Sequence, residues 1–133
     1  MITSEIQTHD IRMNSPIIVC GVGRSGTSLL QSMLNAHPRV SFTPETHFFR
    51  KYLAHRRMRK RREALGSNAF ANELLSDDEF GRAKISPESL LEPFQVGREE
   101  FTLRNCYERL LTLYARQEKK VVVGDKDPRF IDH

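Results

Sequence analysis

A glycine-rich loop between a short apolar run and a helix-like stretch constrains this chain more than any other feature. The run Pro16-Ile-Ile-Val-Cys20 is typical of a buried strand in a parallel sheet, and the loop CGVGRSGTSLL begins at its last residue. Apolar residues then recur at helical spacing from Thr27 to Ala36. A strand that leads through glycines into a helix presents backbone N–H groups to an anion. The loop therefore predicts an α/β fold with an anion-binding turn.

Two phosphate-binding patterns overlap in this loop. Gly21, Gly23 and Gly26 fit G-x-G-x-x-G, the pattern of dinucleotide-binding turns. Gly21 and Gly26 also frame G-x-x-x-x-G followed by Thr27 and Ser28, which lacks the lysine that a nucleotide-hydrolysing loop carries. Both patterns require a strand before the loop and a helix after it, so the local context does not separate them.

Other residues bear on the choice between the two patterns. A dinucleotide turn expects an acidic residue about 20 positions on, and Glu45 is near that place but follows Pro44 and is predicted to open a helix. A magnesium-binding aspartate for nucleotide hydrolysis is matched only weakly, by Asp125. Arg24 and Ser25 instead add a cation and a hydroxyl to the loop, which a plain strand-to-helix turn does not need.

The rest of the chain predicts a parallel sheet with flanking helices in a single domain. The further elements are a strand at 39–42, a helix at 45–62, short helices at 68–75 and 86–94, an amphipathic helix at 98–118 and a strand at 121–124. Residues 1–15 form an irregular lead-in, and 63–97 form a variable helical insert. The fold class is therefore α/β with three layers, and three strands alone make an incomplete sheet with exposed edges.

The residues of the loop and of the segment after it resemble the opening of a known family. Arg24-Ser-Gly-Thr-Ser-Leu-Leu30, Ala36-His-Pro38 and Glu45-Thr46 are similar to the PAPS-dependent sulfotransferases, most closely to the branch of tyrosylprotein and carbohydrate sulfotransferases and their bacterial relatives. The resemblance implies a P-loop-like fold whose loop holds the 5′-phosphosulfate of 3′-phosphoadenosine 5′-phosphosulfate (PAPS), without a metal. The implied donor-binding residues are Arg24, Ser25, Gly26, Thr27 and Ser28.

The same resemblance assigns two catalytic residues. Glu45, followed by Thr46, matches the proposed base that takes the proton of the acceptor hydroxyl. Lys126, in Lys126-Asp-Pro128, matches the lysine that stabilises charge on the transferring sulfonate. Taken singly, Glu45 is equally interpreted as an acid at a helix N-terminus, and Lys126 as part of a polar turn. The resemblance extends over residues 16–53 and 121–130.

The function implied is transfer of a sulfonate group from PAPS to an acceptor hydroxyl. Two alternatives remain: a relative of P-loop kinases and NTPases with an altered loop, and a basic anion-binding module that catalyses nothing. The family holds the donor's 3′-phosphate on later elements, and this sequence stops at His133. We therefore expect a partial domain with little or no activity alone, completed by a missing C-terminal half or an oligomer.

Net charge and hydropathy limit the classes of partner that this chain can have. The formal net charge is +4, and six of the eight residues in 55–62 are Lys or Arg. Such a run is most often a solvated helix face, but it also fits an acidic acceptor, an anionic membrane surface or a nucleic acid. We favour an acidic acceptor, since no aromatic residues interleave with the cations as in nucleic-acid binding. No apolar run reaches the roughly 18 residues of a membrane span and no export signal is seen, so a cytoplasmic setting is expected.

Overall fold

Three short parallel strands form the centre of the fold in the computed structural model, which describes residues 16–19 and 26–126. They are β1 (Ile17–Val19), β2 (Val40–Phe42) and β3 (Val122–Lys126). Their spatial order is β1-β3-β2, so the strand that comes last in the sequence lies between the first two. The predicted parallel α/β sheet with flanking helices is confirmed.

Five α-helices lie within the described residues. They are α1 (Thr27–Asn35), α2 (Arg56–Leu65), α3 (Ser67–Leu75), α4 (Pro87–Gln95) and α5 (Leu103–Gln117). A π-helical turn at Phe49–Leu53 precedes α2, and a 3₁₀ turn at Phe80–Ala83 lies between α3 and α4. Among these described segments, no helix combines the length and apolar character needed to cross a bilayer.

Hydroxyl caps decide where two of the helices begin. The Ser86 hydroxyl accepts a hydrogen bond from the backbone N–H of Ser89, with Pro87 in the first turn of α4, as the sequence predicts. The Thr102 hydroxyl accepts from the backbone N–H of Asn105 at 3.0 Å. This cap starts α5 at Leu103 rather than at residue 98, where the apolar periodicity alone had placed it.

The single helix predicted at 45–62 is wrong. Residues 43–47 form a loop, and His47 has a left-handed backbone with φ 57°. The helical pattern breaks again at His55, whose backbone is extended with ψ 104°. The first helical segment buries Tyr52 and Leu53, whereas α2 buries no residue, so the apolar spacing of the first segment does not extend into α2.

The two faces of the sheet carry cores of very different size. The face covered by α5 contributes Val123 to a large core that also includes Phe48, Phe70, Leu90 and Leu110. The face covered by α1 has a small core of Val19, Val40 and Phe42, against which Leu34 packs. Side chains of β3 alternate between the faces, so Val122, Gly124 and Lys126 lie on the α1 side, and Val123 and Asp125 on the α5 side.

The apolar stripe predicted for α1 packs only in part against the described residues. Leu34 contacts the small core, whereas Leu29, Leu30 and Met33 are exposed.

At Gly124 the central strand β3 packs most tightly against its two neighbouring strands. It pairs with Ile17 of β1 on one side and with Phe42 of β2 on the other. A Cβ atom at this position would lie 2.6 Å from the Phe42 ring and 2.7 Å from the Ile17 carbonyl oxygen. The carbonyl belongs to the backbone of a paired strand, so it cannot move aside without distorting the sheet.

We therefore predict that Gly124→Ala lowers the free energy of unfolding by about 1–3 kcal/mol, because the added methyl group overpacks the sheet. Urea denaturation measures this. The matched control is Gly81→Ala, since a Cβ there meets no atom within 4 Å. That change should stay within about 0.5 kcal/mol of the parent. Equal stabilities of the two variants would contradict the described packing of β3.

Candidate functional site

Three polar side chains from distant parts of the sequence meet at the carboxyl edge of the sheet. The Lys126 ammonium donates a hydrogen bond to the Ser28 hydroxyl at 3.0 Å and another to the Glu45 carboxylate. Glu45 and Lys126 also form an ion pair. The two residues that the sequence assigned to catalysis are therefore brought together, and one of the predicted donor-binding residues joins them.

Strand order explains why these residues meet. Lys126 is the last residue of β3, the central strand. Ser28 lies in the first turn of α1, which follows β1, and Glu45 lies three residues beyond the end of β2. The carboxyl ends of parallel strands open on one edge, which is where open α/β sheets bind ligands. Because Lys126 ends a buried strand, its interpretation as part of a polar turn is wrong.

The cluster combines a buried cation with a partly open carboxylate. The Lys126 side chain is 2% exposed and the Glu45 side chain 34%. Ser28 is exposed. A buried ammonium is tolerated only when it is paired and hydrogen-bonded, and Glu45 supplies that pairing. Of the three N–H bonds of the ammonium, the described residues use two. The arrangement can neutralise an anion and accept a proton.

The loop that carries Glu45 is held at both ends. The Thr43 backbone N–H donates to the Gly124 carbonyl at 3.1 Å, which extends the pairing of β2 with β3. At the other end Phe48 is fully buried, and its N–H donates to the Thr46 hydroxyl at 3.3 Å. Glu45 therefore lies in a fixed loop and not at a helix N-terminus, so its alternative interpretation as a helix-terminal acid is wrong.

The insert between α3 and α4 braces this loop from outside. The Arg82 guanidinium donates to the Glu45 main-chain carbonyl at 2.8 Å. His47 contacts Glu79 at 3.3 Å. Lys51, just beyond the loop, pairs with Glu79 at 2.6 Å. The stretch predicted as a variable helical insert thus has a definite contact with the site.

Charges in the brace are matched in pairs. Burial alone raises the pKa of Asp77, but hydrogen bonds from Lys51 and Tyr52 outweigh burial and hold that pKa below its ordinary value. Burial lowers the pKa of Lys51, and the neighbouring Asp77 and Glu79 more than reverse this, so it lies above its ordinary value. Burial, and then the Asp77 carboxylate, raise the pKa of Tyr52. The brace therefore stays charged around neutral pH.

The start of α1 is described from Gly26 onward. Gly26, at the N-cap, is left-handed with φ 88°, and no side chain among the described residues caps the helix. The first N–H groups of a helix have no partner within it. Thr27 is the first residue of α1. Arg24 and Ser25, the other two predicted donor-binding residues, lie outside the described residues.

The sequence did not reveal a group of hydrogen-bonded residues buried behind Lys126. Thr43 and Tyr107 both donate hydrogen bonds to the buried Asp125 carboxylate. Tyr107 lies at helical spacing among apolar residues and was interpreted only as core. The available signal was its hydroxyl, since a buried tyrosine O–H normally requires a partner.

The position of Asp125 also bears on the NTPase alternative. That alternative needs the aspartate to reach phosphate-bound magnesium beside the loop. Asp125 instead points to the α5 side of the sheet, away from Ser28, because its carboxylate oxygens accept hydrogen bonds from Tyr107 and Thr43. The geometry therefore gives this alternative no support.

The basic run divides into inward and outward side chains on α2. Arg62 pairs with Glu73 at 2.8 Å, and Arg59 donates to the Leu53 carbonyl at 3.3 Å. The cations at 56, 57, 60 and 61 are exposed. They form two neighbouring pairs, 56 with 57 and 60 with 61, that lie one helical turn apart on the same face. The prediction of a solvated face is confirmed for these four positions.

The chain is thus an α/β protein in which a helix start, a buried lysine and a carboxylate converge at the carboxyl edge of a parallel sheet. The sequence model of the Sulfotransferase family matches residues 16–133. The chain therefore belongs to the sulfotransferase family. No curated protein and no solved structure gives a significant match to the chain.

Proposed function

We propose that the protein transfers a sulfonate group from PAPS to an acceptor hydroxyl. The observation that carries this proposal is the bridge formed by the Lys126 ammonium between Ser28, at the start of α1, and Glu45, in the loop after β2. It joins a site for an anionic donor to a site for a proton acceptor. Membership of the sulfotransferase family supports the reaction class.

The residues at the start of α1 fit the phosphosulfate end of the donor. They offer helix N–H groups that no described side chain caps, the exposed Ser28 hydroxyl and the N–H of the Lys126 ammonium that the described residues leave unused. All of these donate hydrogen bonds, which suits an acceptor-rich anion. In the proposal the loop residues Arg24, Ser25, Gly26 and Thr27 complete this site.

Glu45 and Lys126 then divide the chemistry. Glu45 takes the proton from the acceptor hydroxyl while the hydroxyl oxygen forms a bond to sulfur. At the same time the bond from sulfur to the bridging phosphate oxygen breaks. Lys126 stabilises the negative charge that develops on the sulfonate and on the departing oxygen. Because Lys126 pairs with Glu45 in the structure, a bound anion competes for the ammonium and leaves the carboxylate better able to accept the proton.

The outward face of α2 favours an acidic acceptor. Arg56, Arg57 and Arg61 are exposed and form no ion pair with any described residue. Such a group of cations attracts a carboxylated or sulfated chain that bears hydroxyl groups. The acceptor class proposed is therefore an anionic polyol or a peptide with acidic residues.

Titration calorimetry tests the donor site, with adenosine 3′,5′-bisphosphate as the probe. We expect the bisphosphate to bind more tightly than magnesium–ATP or NAD. Lys126→Met should weaken that binding about tenfold to a hundredfold, because one charge-assisted hydrogen bond to the phosphate is lost. Glu45→Gln should instead bind the bisphosphate as tightly as the parent or more tightly, because it releases Lys126 from its ion pair.

The control for this titration is Lys60→Met, the same substitution at an exposed lysine of α2. It should leave the affinity unchanged. Tighter binding of magnesium–ATP would favour the NTPase alternative. Binding of the bisphosphate without any transfer of labelled sulfonate to hydroxyl acceptors would favour the non-catalytic anion-binding module or the partial domain that the sequence predicts.

A second prediction concerns the acceptor. Replacing Arg56, Arg57 and Arg61 together by Ser should raise the dissociation constant for an oligomer of alginate about tenfold at low salt, since three exposed charge contacts are lost. The effect should shrink at about 0.5 M salt through screening. Fluorescence anisotropy of the labelled oligomer measures it.

A neutral dextran oligomer of the same length should bind the parent and the triple variant equally. The matched control removes three other exposed arginines, Arg98, Arg104 and Arg116. An equal loss of alginate binding in this control would show a general charge effect and would refute a specific acceptor surface on α2.

A further inference from the structure

A carboxylate that the proposed mechanism does not use is buried directly behind the site. Asp125 is 5% exposed. Its Oδ1 accepts hydrogen bonds from the Thr43 hydroxyl at 2.7 Å and from the Lys126 backbone N–H at 2.9 Å. Its Oδ2 accepts from the Tyr107 hydroxyl at 2.6 Å. These three donors, all among the described residues, provide hydrogen bonds that suit an ionised carboxylate.

We propose that Asp125, held by Thr43 and Tyr107, is the positioning residue for the Lys126 ammonium. Asp125 lies on the α5 side of β3 and Lys126 on the α1 side, so Asp125 acts through the backbone and does not touch the ligand. The catalytic consequence rests on the proposed function, whereas the positioning itself does not.

The hydrogen bonds of Asp125 fix the two halves of the site relative to each other. Through the Lys126 N–H, the carboxylate orients the last residue of β3. Through Thr43, it holds the loop that carries Glu45 two residues later. The end of β3 and the exit from β2 are thus tied to one group, which sets the separation between the ammonium and the Glu45 carboxylate.

Tyr107 anchors this arrangement to the large core. Its ring stacks on the fully buried Phe48, with centroids 6.0 Å apart and an interplanar angle of 10°. Phe48 ends the Glu45 loop, so α5, the loop and β3 share one rigid contact. Loss of the Tyr107 hydroxyl keeps the ring in place and removes its hydrogen bond to Asp125.

The test follows the ammonium of Lys126 directly. In protein labelled with ¹⁵N-lysine, NMR at low temperature measures how fast the Lys126 ammonium protons exchange with water, and Lys126→Arg assigns the signal. We expect Tyr107→Phe and Thr43→Val each to speed this exchange about fivefold to tenfold, since each removes one hydrogen bond of about 1 kcal/mol that holds the site.

The matched control is Tyr114→Phe, which removes a hydroxyl from the same helix. Tyr114 is partly buried, and no described residue bonds its hydroxyl. In Tyr114→Phe, the Lys126 ammonium protons should exchange with water at the same rate as in the parent protein. Thermal unfolding of every variant checks that it is folded. The hydroxyl deletions are used in place of Asp125→Asn, because changing the buried carboxylate itself risks unfolding the protein.

Unchanged exchange in Tyr107→Phe and Thr43→Val would overturn the proposal, as would an equal increase in Tyr114→Phe. Faster exchange confined to the two hydroxyl variants supports it. Failure of the proposed function is recognised separately: exchange changes as expected, but the bisphosphate does not bind at Lys126. With both intact, the hydroxyl variants lower kcat for sulfonate transfer and leave KM for the acceptor unchanged.

Discussion

The insertion of β3 between β1 and β2 is the constraint on which the rest of the molecule depends. It places Lys126 between the helix that follows β1 and the loop that follows β2. The approach requires a residue without a side chain at Gly124, where both neighbouring strands come within contact distance. If β3 lay at an edge of the sheet, Ser28 and Glu45 would still lie at the carboxyl edge, but Lys126 would not lie between them.

The alternation of β3 separates chemistry from support. On the α1 side Lys126 faces the proposed donor site, above a small apolar core. On the α5 side Asp125 and Val123 face the large core, which holds most of the buried aromatic residues. A step of one residue along β3, from Lys126 to Asp125, therefore connects a polar site to the part of the fold best able to hold it rigid.

Much of this organisation could be predicted from the sequence because it is local. The strands, the helix after the glycine loop and the Ser86 cap all follow from neighbouring residues. Glu45 and Lys126 were found through the family resemblance, and their ion pair agrees with a shared site. The strand order could not be predicted, since pairing of β3 with both earlier strands depends on contacts about a hundred residues apart.

The failures have physical causes as well. The helix predicted at 45–62 was wrong because the apolar spacing before the break does not continue into α2, which buries no residue, and the backbone of His55 between them is extended. Thr43 and Arg82 escaped notice, and Asp125 was considered only as a magnesium ligand, because the partners of all three lie far away in the sequence. The division of the basic run into Arg59 and Arg62, which face inward, and their exposed neighbours required the neighbouring elements to be known.

The most direct test of the central claim is a crystal structure of the protein with adenosine 3′,5′-bisphosphate. We expect a 5′-phosphate oxygen to lie within about 2.7–3.2 Å of both the Lys126 ammonium and the Ser28 hydroxyl, and the Glu45 carboxylate to have separated from Lys126. A bisphosphate bound elsewhere, or bound at α1 while Lys126 still pairs with Glu45, would contradict it.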